Sequence, residues 1–197
     1  MSIAFAPLLL LAAAASPAPG PAGAADPAQV KRGEYLVRLG GCNDCHTPWK
    51  VDRALGVPAP DLTRRLSGHP ADGPDPAGKY TPPDSAVIGP DFTSFALPFG
   101  TVYSSNLTPD PTGLGDWTEP QFAAAMRTGR HTGDPRARPI LPPMPWMSLA
   151  HLTDADLAAI WAYLRSLPPI RNAVPPPKVP ESALAKLEAA LTSPRPP

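Results

Sequence analysis

Residues 40–48 read GGCNDCHTP, and this stretch holds both cysteines of the chain, three positions apart, with a histidine directly after the second. Two thiols at that spacing come together within one turn of chain, and metal binding and redox chemistry both use the arrangement. Which chemistry applies is decided by the residues around the motif and by the compartment the chain reaches.

Composition narrows the field first. The 197 residues carry 17 basic and 17 acidic side chains, a formal net charge of zero, which gives nucleic acid no single-sign face to bind. Length and 43% hydrophobic content suit one domain with appendages. The 32 prolines crowd the first 27 residues, the 58–98 stretch and everything after Pro168, whereas the segments around 28–39, 118–128 and 153–167 contain only Pro120. Helices therefore alternate with long, stiff, irregular segments, and a core built that way needs an added filler.

The beginning of the chain predicts the compartment. No charge occurs from Met1 to Ala25, FAPLLLLAAAA is an apolar run of signal-peptide length, and PAGAAD offers an A-x-A cleavage site after Ala24. Residues 1–24 are thus predicted to be an export signal. The run is shorter than the roughly 20 residues that span a bilayer and is interrupted by Pro7 and Pro17. The mature chain is expected in the periplasm or otherwise exported, without a transmembrane segment.

Export bears on the cysteines. A zinc site needs about four ligands, and the chain has no second C-x-x-C and no H-x-x-x-H to complete one. A thioredoxin-like dithiol sits at a strand-to-helix turn in a βαβ pattern, and no β-rich alternation flanks CNDC. C-x-x-C-H remains, in which Cys42 and Cys45 add to the vinyl groups of a haem and His46 binds its iron. One motif implies one haem c.

Three segments carry helix signals. Asp26, Pro27 and Gln29 predict an N-terminus for a helix through about Leu39, stopped by Gly40–Gly41, with Tyr35, Leu36 and Leu39 on its apolar side and Gly33 open to close approach. Thr118, Pro120 and Gln121 open a second helix that ends at Gly129, with Phe122, Ala125 and Met126 facing inward. Thr153 and Asp156 open a third, whose Leu157, Ile160, Trp161, Leu164 and Leu167 recur at helical spacing up to Pro168–Pro169. A short helix is also predicted from about Glu181 to Leu191.

RGEYLVRLGGCNDCHT (32–47) resembles the amino-terminal helix and haem motif of class I c-type cytochromes, and LTDADLAAIWAYLRSLPPI (152–170) resembles their terminal helix. SSNLTPDPTGLGDWTEPQFAAAMRTGRH (104–131) and PPMPWMSL (142–149) are similar, more narrowly, to bacterial cytochromes related to the cytochrome subunits of membrane dehydrogenases. Those subunits usually carry three C-x-x-C-H motifs, and this chain has one. The resemblance implies an all-α fold, cytochrome c-like helices wrapped around one covalently attached haem, with long irregular proline-rich loops. It assigns 26–170 to a cytochrome c domain and leaves 171–197 as a proline-rich tail with a short helix.

Residues able to supply a sixth iron ligand are Met126, Met144, Met147, His69, His131 and His151. The resembling family uses a methionine before Pro-aromatic, which implies Met144, with Met147 and His69 in reserve. Cofactor-binding residues are then Cys42, Cys45, His46 and Met144, the last two on the metal. With both axial positions filled, the iron exchanges electrons and nothing else, so the expectation is a carrier and no enzyme, between a dehydrogenase donor and an oxidase or cytochrome acceptor. The alternatives are a five-coordinate haem sensor, a weakly peroxidatic protein, or the electron-entry subunit of a dehydrogenase complex. Arg127, Arg130, Arg136 and Arg138 are expected either to meet haem propionates or an acidic partner, or to form a solvated loop, and residues 47–105 to drape one haem edge or form a docking surface.

Overall fold

The computed structural model describes residues 26–54, 56–75 and 84–192; the predicted export signal and residues 76–83 of the proline-rich stretch lie outside them. Six α-helices and five short strands are found in the described residues.

Helix α1 (Pro27–Leu39) begins as its residues dictate: the Asp26 carboxylate accepts the Ala28 amide at 3.0 Å and Pro27 occupies the first turn, where an N–H has no partner to lose. Gly41, at φ 66°, reverses the chain into the single turn α2 (Cys42–His46). Helix α3 (Glu119–Thr128) has a complete capping box between Thr118 and Gln121. Its left-handed cap, Gly129 at φ 66°, leaves no room for a side chain, since a Cβ there would lie 2.3 Å from the Trp146 ring. Helix α4 (Trp146–Leu149) is one turn long, and α5 (Asp154–Ser166) starts where Thr153 accepts the Asp156 amide at 3.1 Å. Helix α6 (Glu181–Thr192) closes the described chain.

The all-α expectation is corrected between α2 and α3. Strands β1 (Trp49–Asp52) and β2 (Val57–Pro60) form a hairpin, and β3 (Val87–Ile88), β4 (Ser94–Leu97) and β5 (Gly100–Tyr103) form an antiparallel sheet in that order. Pro58 and Pro60 concealed β2 from the sequence reading; in a two-stranded sheet every strand has an open side, so a missing N–H can be placed away from the ladder.

Two apolar clusters result. The larger joins α1, α3 and α5 through Leu36, Val37, Phe122, Leu157, Trp161 and Leu164, among others. Its pivot is Gly33, where a Cβ would stand 1.9 Å from the Ala159 carbonyl oxygen and 2.7 Å from the Tyr163 Cβ, so α1 and α5 cross with backbones touching. That crossing corrects the expected apolar side of α1. Gly33, Leu36 and Val37 are buried, whereas Tyr35 and Leu39 remain 53% and 69% exposed, because the contact stripe runs along the glycine. The smaller cluster joins Phe95 of β4 and Val102 of β5 to Leu141, with Val179, Leu184 and Leu187 packed on it from the tail.

Polar staples complete the second half. The buried Asn172 side chain donates to the Ser67 and His69 carbonyls at 2.7 and 2.8 Å and accepts the Ala71 amide at 3.0 Å, tying the start of the tail to the loop after β2. Asn106 donates to the Ile170 carbonyl at 2.8 Å and accepts the Thr108 amide at 2.9 Å.

Candidate haem site

The site starts from the turn α2. His46 is 8% exposed, and its Nδ1 lies 2.7 Å from the Ser105 carbonyl oxygen. A carbonyl only accepts, so Nδ1 carries the proton and Nε2 presents a lone pair. Burial lowers the pKa of the ring, which the Ser105 bond only partly opposes, and the imidazole stays neutral at neutral pH. The surrounding backbone is pinned as well: Gly68 donates its amide to the His46 carbonyl at 2.8 Å, and the buried Thr47 hydroxyl accepts the Leu66 amide at 3.0 Å.

Cys42 and Cys45 are unbridged and half-buried. Burial, aided by the Asp44 charge, pushes the Cys42 thiol up to about 11 and raises Cys45 too, which is opposite to the activated thiolate that thiol–disulfide exchange requires. Cys42 packs against the large helical cluster and Cys45 against the smaller one. The turn therefore sits on the seam between the two apolar bodies.

The remaining candidate ligands are placed very differently. Leu141 belongs to the same cluster as Cys45, and three residues later Met144 is half-buried at the end of a turn closed by its amide on the Leu141 carbonyl at 3.2 Å. The Pro142–Pro143 bond inside this turn is cis. Met147 is 48% exposed on α4, and Met126 packs against the helical cluster as a filler. His131 meets Trp117 edge-on at 4.9 Å, and His151 is exposed.

His69 is 1% exposed and committed to structure. Its Nδ1 stands 2.9 Å from the Thr93 hydroxyl and 3.2 Å from an Asp91 carboxylate oxygen, its ring stacks on Tyr103 at 4.8 Å, and the far side of the ring abuts Gly73, where a Cβ would lie 2.8 Å from Nε2. The sequence offered it as a reserve ligand on a loop; the fold encloses it in hydrogen bonds.

The arginine-rich stretch is engaged largely within the chain. Arg127 reaches Asp154 at 2.6 Å and the Ala150 carbonyl, Arg130 reaches Glu188 and the Ala137 carbonyl, and Arg136 pairs with Asp134 at 3.1 Å. Arg138 donates to the Pro139 carbonyl at 3.3 Å.

Sequence reasoning passed over Ser105, Gly68 and Asn172. Ser105 acts through its backbone carbonyl and Gly68 through its backbone amide, for which no side-chain signal exists. Asn172 carried a faint one, an amide side chain set in a proline-rich run.

These residues fit a covalently held haem. Two protonated thiols and a tautomer-fixed imidazole share one turn, apolar side chains stand on both sides of it, and the Tyr163 hydroxyl is buried without a hydrogen-bond partner among the described residues. No helix among the described residues is long and apolar enough to cross a membrane.

Known proteins of similar sequence agree with that chemistry. The chain is 34% identical over 141 residues to the cytochrome c subunit of a quinone-type alcohol dehydrogenase from Gluconobacter oxydans, covering 71% of this chain and 21% of that protein. It is 33% identical over 152 residues to the gluconate 2-dehydrogenase cytochrome c subunit of Pantoea cypripedii, covering 76% of this chain and 26% of that protein. A shorter match, 44% over 79 residues, is to one subunit of the nicotinate dehydrogenase of Pseudomonas putida, covering 40% of this chain and 6% of that protein. The chain thus spans about a quarter or less of the length of these relatives. The cytochrome c family model matches residues 30–168, from the first half of α1 past the end of α5, and the chain belongs to the cytochrome c family.

Proposed function

We propose that residues 26–170 form an exported mono-haem cytochrome that carries single electrons from a dehydrogenase to a respiratory acceptor, with His46 and Met144 as the residues that would hold its iron. The observation that carries this reading is the buried His46 ring, whose Nδ1 is tied to the Ser105 carbonyl within the same turn as two unbridged thiols. The haem, when bound, supplies a reversible one-electron couple.

The chain supplies everything around that couple. Cys42 and Cys45 would anchor the group, and His46 is held in one tautomer and one orientation, so its lone pair is preorganised for iron. Leu141 and Trp146, on either side of Met144 in the chain, are both buried, and a thioether ligand in apolar surroundings favours the reduced state. A second reading, the electron-entry subunit of a dehydrogenase complex, draws support from the names of the relatives, which are dehydrogenase cytochrome subunits. Co-purification of a dehydrogenase with the chain separates that role from a free carrier.

The test is the visible spectrum of the exported protein in both oxidation states, with and without carbon monoxide. The parent is expected to show the weak red Fe(III)–thioether band and to resist carbon monoxide when reduced. Met144→Ala is expected to abolish the band, lower the potential and open the iron, whereas Met147→Ala and Met126→Ala leave all three near parental. The full effect from Met147→Ala moves the ligand by three residues. Rapid binding of carbon monoxide by the reduced parent replaces the carrier with a sensor or peroxidatic protein.

A further inference from the structure

The helical signature matched by the family ends at residue 168, yet the described chain continues as an ordered strap to Thr192. The strap is fastened at three places. At its root Asn172 is bonded to the Ser67 and His69 carbonyls. In its middle, Lys178 pairs with Thr101 through two backbone bonds of 2.8 and 3.0 Å, and its ammonium reaches Asp75. Gly100 permits that crossing, because it holds φ 142° and a Cβ there would lie 2.5 Å from the Lys178 carbonyl oxygen.

The third fastening meets the segment that carries Met144. Leu184 and Leu187 of α6 pack on the cluster that contains Leu141, and Glu188, one residue further, pairs with Arg130. Arg130 is only 12% exposed at its side chain, and it also donates to the Ala137 carbonyl at 3.3 Å. Around it the chain doubles back on itself: Ile140 donates to the Gly129 carbonyl at 2.7 Å and His131 to the Arg138 carbonyl at 3.1 Å. A 12-residue helix is marginal alone in water, so α6 owes its order to these contacts, and by reciprocity it orders what it touches. Among the described residues, the backbone bond that closes the turn from Leu141 to Met144 runs from the Met144 amide to the Leu141 carbonyl.

We propose that the carboxy-terminal strap is a positioning element for the Met144 turn: Leu184 and Leu187 hold Leu141 from one side, Glu188 holds Arg130 at the base of the preceding loop, and residue 144 is thereby kept in place. The consequence for the iron rests on Met144 as the ligand; the clamp on residues 140–144 does not. In this scheme Glu188 acts through Arg130, and Leu184 and Leu187 act through the cluster that holds Leu141.

Two substitutions in the full haem-loaded chain, Glu188→Gln and Leu187→Ala, and a haem-loaded chain shortened to end at Asn172 test the proposal. Amide hydrogen exchange is read at Ile140, Leu141 and Met144, with α1 and α5 as internal references, and the red Fe(III)–thioether band and carbon monoxide binding are read in the same samples. Exchange at the three amides is expected to rise about tenfold or more in the truncated chain and less in the single variants, with α1 and α5 unchanged. The red band is expected to weaken and carbon monoxide binding to accelerate in the same order. Parental exchange at 140–144 in the truncated chain overturns the proposal. If truncation raises exchange everywhere, the single variants decide, and parental behaviour in both of them overturns it equally. A parent that already lacks the red band refutes Met144 as ligand and leaves the exchange measurement as the judge of the strap.

Discussion

The two cysteines lie one turn apart, yet they lean on halves of the molecule that are built differently. Cys42 packs against the meeting of α1, α3 and α5, where leucines, aromatics and a glycine crossing make a dense apolar body. Cys45 packs against a smaller cluster of Phe95, Val102 and Leu141, completed by side chains from the tail. Where apolar mass is scarce, hydrogen bonds from Asn172, Asn106 and His69 take over the fixing of the backbone. The comparison teaches that one half is rigid because its helices cannot approach in another way, and the other because its buried polar groups have partners in one arrangement only.

The largest effect is expected at the crossing of α1 and α5. Gly33→Ala gains about 1 kcal/mol of helix propensity, but its methyl would stand 1.9 Å from the Ala159 carbonyl oxygen, so the helices must separate. A steric cost of about 4 kcal/mol, just above the usual range for overpacking, less that gain leaves a net loss of about 3 kcal/mol, to be read by urea titration. A variant as stable as the parent breaks the account of the helical half.

A smaller loss is expected in the stapled half. Asn172→Ala leaves the buried Ser67 and His69 carbonyls and the Ala71 amide without that partner, at a cost of about 2 kcal/mol. Exchange of the Ala71 amide is expected to rise while α5 amides stay protected. Uniform loss of protection would show that the two halves unfold as one unit.

The smallest effect is a pH dependence. Burial pushes the Asp91 carboxyl up, but the His69 ring, the Thr93 amide and the Thr93 hydroxyl facing it outweigh this and hold it below its ordinary 3.8. A carboxyl lowered in the folded state contributes stability in full above 3.8 and loses it as the pH falls through the lower, folded value. Thermal midpoints of the parent are therefore expected to drop on acidification below 3.8 somewhat more steeply than those of Asp91→Asn. Equal slopes would remove this pair from the contacts that hold the second half.

Local sequence was enough for the helices. The caps at Asp26, Thr118 and Thr153 act within three residues of themselves, and the helices begin where those side chains say. α6, expected from about Glu181 to Leu191, runs to Thr192. The face of α1 was misjudged at Tyr35 and Leu39, since which stripe is buried depends on the partner helix and not on the hydrophobicity of the stripe alone. The strands stayed hidden, because β4 is defined by its pairing with β3 and β5, and β2 contains prolines that a central strand could not accept.

For the site, the sequence by itself determined the attachment motif, since the spacing of Cys42, Cys45 and His46 is a property of one turn of chain. The methionine at 144 entered through resemblance. Only the tertiary structure decided that the Ser105 carbonyl fixes the His46 tautomer, that His69 is enclosed by Asp91, Thr93 and Tyr103, and that the tail returns to the cluster of Phe95, Val102 and Leu141. Each of these joins residues far apart in the chain, and contacts of that kind are set by how the whole chain packs, which no local pattern encodes.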